Sequence, residues 1–251
     1  MTEMRHILTA FFLVFILSCD SENANDCLQK TGDIVREEMV VDVFDKILVN
    51  RDIEVIIKDG SIQKVEIETG SNLINDVEAN VVDRKLILTD NNTCNFVRGY
   101  GITKVYVTSP NITEIRSSTQ YEIRSDGVLT YPNLSLFSED FSAPDTFTNG
   151  NFRLQIENET LRITFNNLSN AFISGTTNKF YVGLFAGTSR VETGALVAQN
   201  VEISHRSSND VIVNPQASIS GVIRGTGNVI SLNRPPLVEV EEQYKGRLIF
   251  E

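Results

Sequence analysis

Apolar and polar residues alternate along much of the chain after residue 46. Side chains two positions apart point to the same face of a strand, so this period predicts strands with one buried face. The Asp-Gly pair at 59–60 is typical of a turn between two such strands. Further strands are predicted at 85–88 and 103–108, and only 33–41 could form a helical turn. The fold class is therefore predicted to be all-β, from a pattern first seen at Ile47, Val49, Ile53, Val55, Ile57, Val65 and Ile67.

Short polar corners recur in the second half of the chain, and a short apolar strand leaves each of them. The last four exits are about 19, 20 and 18 residues apart, a period typical of a repeat solenoid. The step before them is longer, which predicts an insertion between Pro144 and Gly150. A β-solenoid of the β-helix kind is the favoured architecture. A β-sandwich is the alternative, although it predicts no fixed period. The exits are Phe141, Phe172, Val191, Val211 and Val229.

The N-terminus has the pattern of an export signal. Arg5 and His6 precede an apolar run at 7–17, which is too short to span a membrane as a helix. The sequence at 16–19, Ile-Leu-Ser-Cys, resembles the bacterial lipobox, in which the thiol receives a lipid and the chain is cut just before it. We therefore predict a signal peptide at 1–18 and a lipid anchor on Cys19. The alternative is a buried core segment followed by an unrelated cysteine.

The remaining chain is predicted to have two parts. Residues 19–34 begin with a polar, acidic stretch and are predicted to be a flexible lipidated tether. Residues 35–251 are predicted to be the solenoid domain, strand-rich at 35–115 and built from repeat coils at 116–251. We expect an outer-membrane lipoprotein of the cell envelope. Acidic residues after the lipidated cysteine resemble a surface-export signal in some bacteria and an inner-membrane retention signal in others. Both locations of the anchored protein are therefore compatible with this sequence.

Cys27 and Cys94 are the two cysteines left after lipid attachment. Export places them in an oxidising compartment where a disulfide persists. We predict that they pair, closing a loop of roughly 67 residues and stabilising the fold by about 4 kcal/mol. Two unpaired buried thiols are the alternative.

The charge of the chain limits its partners. The formal net charge is −11 over 251 residues. Nucleic-acid binding requires clustered Lys and Arg, so no nucleic-acid partner is expected.

Few residues offer reactive chemistry. His205 is the one histidine beyond the predicted signal peptide, and with Ser208 and Asp210 it could form a catalytic set. No nucleophile-elbow motif surrounds it, and solvated turn residues are the preferred interpretation. No catalytic residue and no cofactor are therefore predicted.

Acidic and aromatic residues are the remaining candidates for a metal or a sugar site. Acidic residues at 140 and 145, and at 239, 241 and 242, lack the spacing of a calcium loop, and no metal site is predicted. Sugars commonly stack on exposed aromatic side chains. Tryptophan is absent, and Tyr100, Tyr131 and Tyr244 are the candidates to test, against the alternative of half-buried strand residues.

Several stretches together resemble the lipoproteins of the putative auto-transporter adhesin head GIN domain family. They are 94–98, 102–108, 109–113 and the corner at 224–229. The similarity covers roughly 41–250. It implies a right-handed β-solenoid similar in shape to pectin lyases, without a recognised catalytic set, and with a proposed role in cell adhesion. The corners at 117–119 and 207–209 depart from the Gly-Ser-Gly of that family, although hydroxyl and Asn side chains make the same turns.

The leading hypothesis is a non-enzymatic protein, held to the membrane through its lipid, that binds a protein or glycan partner with a solenoid face. Two alternatives come from other classes. One is a structural envelope component that assembles into homo-oligomers. The other is a polysaccharide lyase or hydrolase, since such enzymes also use β-solenoids.

Overall fold

Nearly all of the regular secondary structure in the described residues is strand. The structure is a computed structural model, and it describes residues 26–251. The lipobox and Cys19 lie outside the described residues. None of the helices within 26–251 has the length and apolarity that a membrane crossing requires. The elements are β1 (Ile34–Met39), β2 (Lys46–Val49), β3 (Glu54–Asp59), β4 (Lys64–Gly70), a 3-10 turn (Ile74–Asp76), β5 (Val77–Val82), β6 (Lys85–Asp90), β7 (Lys104–Ser109), β8 (Glu114–Ser117), β9 (Glu122–Leu129), β10 (Asn133–Ser138), β11 (Asn151–Phe165), β12 (Asn170–Leu184), β13 (Arg190–His205), β14 (Val211–Ile223), β15 (Val229–Ser231), β16 (Leu237–Glu242) and β17 (Leu248–Phe250).

Successive coils stack in parallel, which confirms the solenoid. β11, β12, β13 and β14 each pair in parallel with the next, and β14 pairs with both β15 and β16. Val191 is opposite Val211, and Val211 is opposite Val229, so the predicted period holds at these corners. The predicted exit at Phe172 is wrong by one residue, because Ala171 is the residue opposite Val191. Phe172 therefore points away from the core.

The column has two main sides, which we call side A and side B. Side A contains β2, β6, β8, β10, β16 and the second halves of β11 to β14. Side B contains β3, β7, β9, β15, β17 and the first halves of β11 to β14. Inward-facing apolar side chains from both sides form one buried core. The outward-facing residues of each strand lie in rows that cross several coils.

The first layer of the column is not at its end. β2 lies between β6 and β8, and β3 lies between β7 and β9, although β2 and β3 come first in the chain. Three antiparallel strands complete this region: β4 pairs with β7, β1 pairs with β4, and β5 pairs with β6. The strand-rich first part is therefore a block whose spatial order differs from its chain order.

Hydroxyl side chains shape the corners, as expected for turns without glycine. The backbone N–H of Thr119 donates to Ser117 Oγ at 3.5 Å, and that of Asn209 donates to Ser207 Oγ at 3.4 Å. Within the long strands β12 and β14, glycines with positive φ occur at 175 and 221. Gly175 has φ +112°, and a Cβ there would lie 1.9 Å from a carbonyl oxygen of the adjacent coil. A side chain at that position is therefore excluded.

The segment before β1 is packed rather than free. Cys27 and Cys94 are joined by a disulfide with their Cα atoms 4.4 Å apart. Gln29 is fully buried, and its side-chain amide donates to the Asn72 carbonyl at 2.8 Å. The tether was expected to extend to residue 34, but Cys27 and Gln29 are already attached to the domain, and β1 begins at Ile34.

The expected insertion is a long loop between β10 and β11, at 139–150. Its base is fixed by a buried ion pair, since Arg116 Nη2 lies 2.7 Å from Glu139 Oε1. Ser142 donates from both its backbone N–H and its hydroxyl to the Glu139 carboxylate. These charge-assisted bonds hold the pKa of Glu139 below its usual range, even though its burial acts in the opposite direction.

Candidate functional site

The residues of the possible catalytic set do not form a site. His205 is the last residue of β13 and faces the core, with 1% of its surface exposed. Its burial lowers its pKa, so the neutral imidazole is favoured. Ser208 is exposed and donates to the Gly187 carbonyl, whereas Asp210 accepts the backbone N–H of Asn228. The imidazole is therefore inside the column, where a substrate could not reach it.

The three candidate tyrosines have different environments. Tyr131 is fully buried, and its hydroxyl donates to the Ser109 carbonyl at 3.1 Å. Its burial strongly raises its pKa. Tyr100 is 79% exposed beside a small cavity, and Tyr244 is exposed near the C-terminal end of the column. Tyr131 is therefore a core residue and cannot be a ligand platform.

The acidic positions considered for a metal do not converge on one point. Within the described part of the chain, no group of three or more His, Cys, Asp or Glu side chains could hold a metal ion. Asp140 accepts a hydrogen bond from the Asn166 amide at 2.6 Å. Glu239, Glu241 and Glu242 lie on the exposed strand β16.

An outward row on side A combines an arginine, an aromatic ring and a glutamate. Arg162 on β11 is opposite Tyr181 on β12, and Tyr181 is opposite Glu202 on β13. The Arg162 guanidinium carbon lies 4.4 Å from the centroid of the Tyr181 ring, within the range of a cation–π contact. We call these three residues the tyrosine row.

A cleft lies beside the tyrosine row. The next outward positions on the same strands are Thr164, Gly183 and Ser204, and the glycine forms a low floor between two hydroxyl-bearing residues. The Phe185 ring lies over this floor, since a Cβ on Gly183 would lie 2.8 Å from Phe185 Cε2. Tyr181 and Phe185 thus line a cavity of about 190 Å³.

The insertion loop supports the aromatic wall of this cleft. Phe141, in the loop, is 62% exposed and meets Phe185 edge to face, with ring centroids 5.8 Å apart. Phe141 follows the buried Glu139 by two residues, so the ion pair with Arg116 fixes where the ring lies. The loop therefore contributes to the outer surface of side A.

Side B has a similar row on the same three strands. Arg153 is opposite Phe172, and Phe172 is opposite Glu192. The Arg153 guanidinium carbon lies 4.6 Å from the Phe172 centroid. Here both charges are neutralised by neighbours, because Arg153 Nε lies 3.0 Å from a Glu122 carboxylate oxygen and Glu192 pairs with Arg190. We call Arg153, Phe172 and Glu192 the phenylalanine row.

The charges of the tyrosine row are free by comparison. Within 26–251, neither Arg162 nor Glu202 has an ion-pair or hydrogen-bond partner for its charged group, apart from the stacking of Arg162 on Tyr181. An exposed arginine and glutamate on either side of a ring can bind groups from solution. The tyrosine row and its cleft are therefore the candidate binding site.

Sequence reasoning missed Tyr181 and Phe185. The signal was present in the sequence at 180–181, where Phe is followed by Tyr on a strand. Adjacent strand residues point to opposite faces, so one of the two rings had to face outward. Phe180 is buried and Tyr181 is the outward residue.

Comparison with known families gives one match that covers most of the chain. The family model described as putative auto-transporter adhesin, head GIN domain, matches residues 43–235. Among curated proteins, none matches the chain.

Several solved structures share the fold. A putative adhesin from Bacteroides fragilis NCTC 9343 aligns with a TM-score of 0.76 at 19% identity, over 88% of this chain and 99% of that chain. A putative adhesin from Parabacteroides merdae ATCC 43184 aligns with a TM-score of 0.62 at 17% identity, over 88% and 98%. A putative lipid binding protein from Parabacteroides distasonis ATCC 8503 aligns with a TM-score of 0.62 at 13% identity, over 88% and 98%. At these identities the likeness is one of fold.

Proposed function

The chain belongs to the putative auto-transporter adhesin, head GIN domain, family, and from this membership we propose that it is a non-enzymatic binding protein of the cell envelope. The observation that carries the proposal is the tyrosine row with its cleft. Its aromatic and charged side chains project from strands that are hydrogen-bonded on both edges, so the surface is rigid before any partner arrives. A preorganised surface with unpaired polar groups is suited to recognition.

The lipid anchor is part of this proposal. A thioether-linked lipid on Cys19 would hold the protein on the membrane through burial of its acyl chains. The disulfide between Cys27 and Cys94 would add a second covalent link between the anchored segment and the domain.

Cell fractionation tests the anchor. Cys19→Ser removes the thiol that accepts the lipid, so the protein should move from the membrane fraction to the soluble fraction or remain uncut. Ser21→Ala, two residues after the lipidated position, is the matched control and should stay in the membrane fraction. Equal membrane retention of both variants, with the signal peptide removed from both, would rule out lipidation at Cys19.

Binding is tested on whole cells that make the full chain. Such cells should adhere to an immobilised panel of glycans and matrix proteins, whereas cells without the protein should not. External protease should remove both the protein and the adhesion. A protein that external protease cannot reach, with adhesion unchanged by its deletion, would contradict a role in adhesion.

A further inference from the structure

Resting on the proposed function, we infer that the cleft beside the tyrosine row binds one uncharged pyranose unit of a glycan. The site is formed by Tyr181 and Phe185 as aromatic walls, Gly183 as floor, and Arg162 and Glu202 as flanking polar groups. The phenylalanine row borders a larger cavity of about 490 Å³, but both of its charged side chains are already ion-paired.

The walls suit the apolar face of a sugar ring. The C–H groups of a pyranose carry partial positive charge, and the faces of aromatic rings carry partial negative charge, so the two attract. Both rings are restrained before binding. Arg162 lies against the Tyr181 ring, and the Phe141 and Phe185 rings are in edge-to-face contact. Little side-chain entropy is then lost on binding.

The flanking groups suit hydroxyls. A sugar hydroxyl both donates and accepts, and the site offers both partners: the Arg162 guanidinium donates, and the Glu202 carboxylate accepts. The Thr164 and Ser204 hydroxyls on either side of the floor can do both. In the described structure none of these four side chains uses its polar group in a hydrogen bond or ion pair.

Charge selects the ligand class. One guanidinium and one carboxylate flank the same ring, so their charges cancel across the site. An anionic sugar would be attracted by Arg162 and repelled by Glu202, and a cationic one would meet the reverse. An uncharged sugar has no such conflict, because each group can serve as a hydrogen-bond partner.

Size limits the ligand to a single ring within the cleft. The cavity of about 190 Å³ is smaller than the 300–1,000 Å³ typical of sites that enclose drug-sized ligands. The rest of a glycan chain would therefore extend over the open surface of side A.

Side B supplies an internal control. The phenylalanine row repeats the arginine–aromatic–glutamate order on the same strands, but Glu122 and Arg190 neutralise its charges. If an outward ring with neighbouring charges were enough for binding, both rows would bind sugar. If unpaired polar groups are required, only the tyrosine row will.

The test uses the full chain purified in detergent and probed with methyl glycosides of glucose, galactose, mannose and N-acetylglucosamine. Saturation-transfer NMR and titration calorimetry should detect binding of at least one glycoside by the unchanged protein. Tyr181→Ala should weaken that binding roughly tenfold or more, because one aromatic wall is lost. Gly183→Val should abolish it, because the new side chain would collide with the Phe185 ring and displace that wall of the cleft. Phe172→Ala, the matched control on side B, should bind as the unchanged protein does.

Thermal unfolding followed by circular dichroism checks that each variant is folded. The inference is overturned if no glycoside binds, if Tyr181→Ala and Phe172→Ala bind equally well, or if methyl glycosides of uronic acids bind more tightly than the neutral ones. If the purified protein gives any of these results while cells that make it still adhere, the sugar site is overturned and the proposed function stands. Cells that fail to adhere at all would instead contradict the proposed function.

Discussion

The buried ion pair under the insertion loop gives the sharpest test of how the surface of side A is built. Arg116 is 7% exposed and Glu139 is 1% exposed. Besides the ion pair at 2.7 Å, Arg116 Nη1 donates to the Glu139 carbonyl at 3.0 Å, and Nη2 donates to Ser142 Oγ at 3.3 Å. The perturbation is Arg116→Met, which keeps the aliphatic stem and removes the charge.

The expected cost follows from what remains behind. Arg116→Met leaves the Glu139 carboxylate buried without its cation, and removing one partner of a buried pair typically costs about 3–5 kcal/mol. Arg116→Met combined with Glu139→Gln removes both charges, and the Gln oxygen can still accept the Ser142 amide. The double variant should therefore lie within about 1.5 kcal/mol of the unchanged protein, since replacing both members of a buried pair is often nearly neutral.

The loss should also depend on pH. In the unchanged protein the pKa of Glu139 is lowered, so its contribution to stability is present at neutral pH and is lost as the pH falls through the folded-state pKa. Without Arg116, the pKa of Glu139 is expected to rise from its lowered value, because burial still raises it and the attraction of the guanidinium is lost. Protonation then relieves the penalty, so the difference between Arg116→Met and the unchanged protein should shrink from pH 7 to about pH 4.

Urea unfolding at both pH values measures this difference. Far-UV circular dichroism is the suitable signal because the chain has no tryptophan. Limited proteolysis within 139–150 reports whether the loop has detached from the column. Detachment would expose Glu139 to water and so reduce the loss of unfolding free energy measured for the whole domain. A loss below about 1 kcal/mol at pH 7, with the loop still protected, would refute the reasoning that this pair is desolvated.

Three further predictions concern the column itself. Gly175→Ala should destabilise the fold by at least about 1–3 kcal/mol, measured by urea unfolding, because its φ is positive and the new Cβ meets a carbonyl, whereas Gly99→Ala, with open space around it, should change little. Replacing Cys27 and Cys94 together by Ser should cost about 4 kcal/mol, and an unchanged midpoint would argue against a stabilising crosslink. His205→Leu should remove a pH dependence. Because burial lowers the pKa of His205 in the folded state, its contribution to stability is present at pH values above its ordinary pKa of 6.5 and is lost as the pH falls below it. The unfolding free energy of the variant should therefore fall less between pH 7 and pH 5.5.

The stacking of the later coils could be predicted because one physical requirement repeats on every lap. Each corner must turn sharply, so polar corner residues recur before Val191, Val211 and Val229, and these residues do lie opposite one another. The prediction at Phe172 was wrong because Ala171 beside it is also apolar. Alternation alone does not say which of two adjacent apolar residues faces the core.

Features that depend on distant partners could not be predicted. Alternation indicates that Ile47 faces inward, but not that it lies between Leu86 and Ile115. Arg116 and Glu139 resemble surface residues in the sequence, because burial of a charge depends on a counter-charge that folding brings to it. The candidate site has the same limitation, because it is completed by distant residues. Arg162 and Glu202 flank Tyr181 from the adjacent coils, and Phe141 of the insertion loop contacts Phe185.

The position of β2 and β3 inside the column has a consequence for how this architecture can vary. Both strands pair with neighbours from 85–129. Although β2 and β3 are synthesised earlier, both of their edges therefore lack hydrogen-bonding partners until that later stretch is present. The coils after it each rest on the one made just before. Whole laps can therefore be added or lost toward the C-terminal end, as in other repeat arrays, whereas a change of one lap within the founding block would separate β2 and β3 from their neighbours.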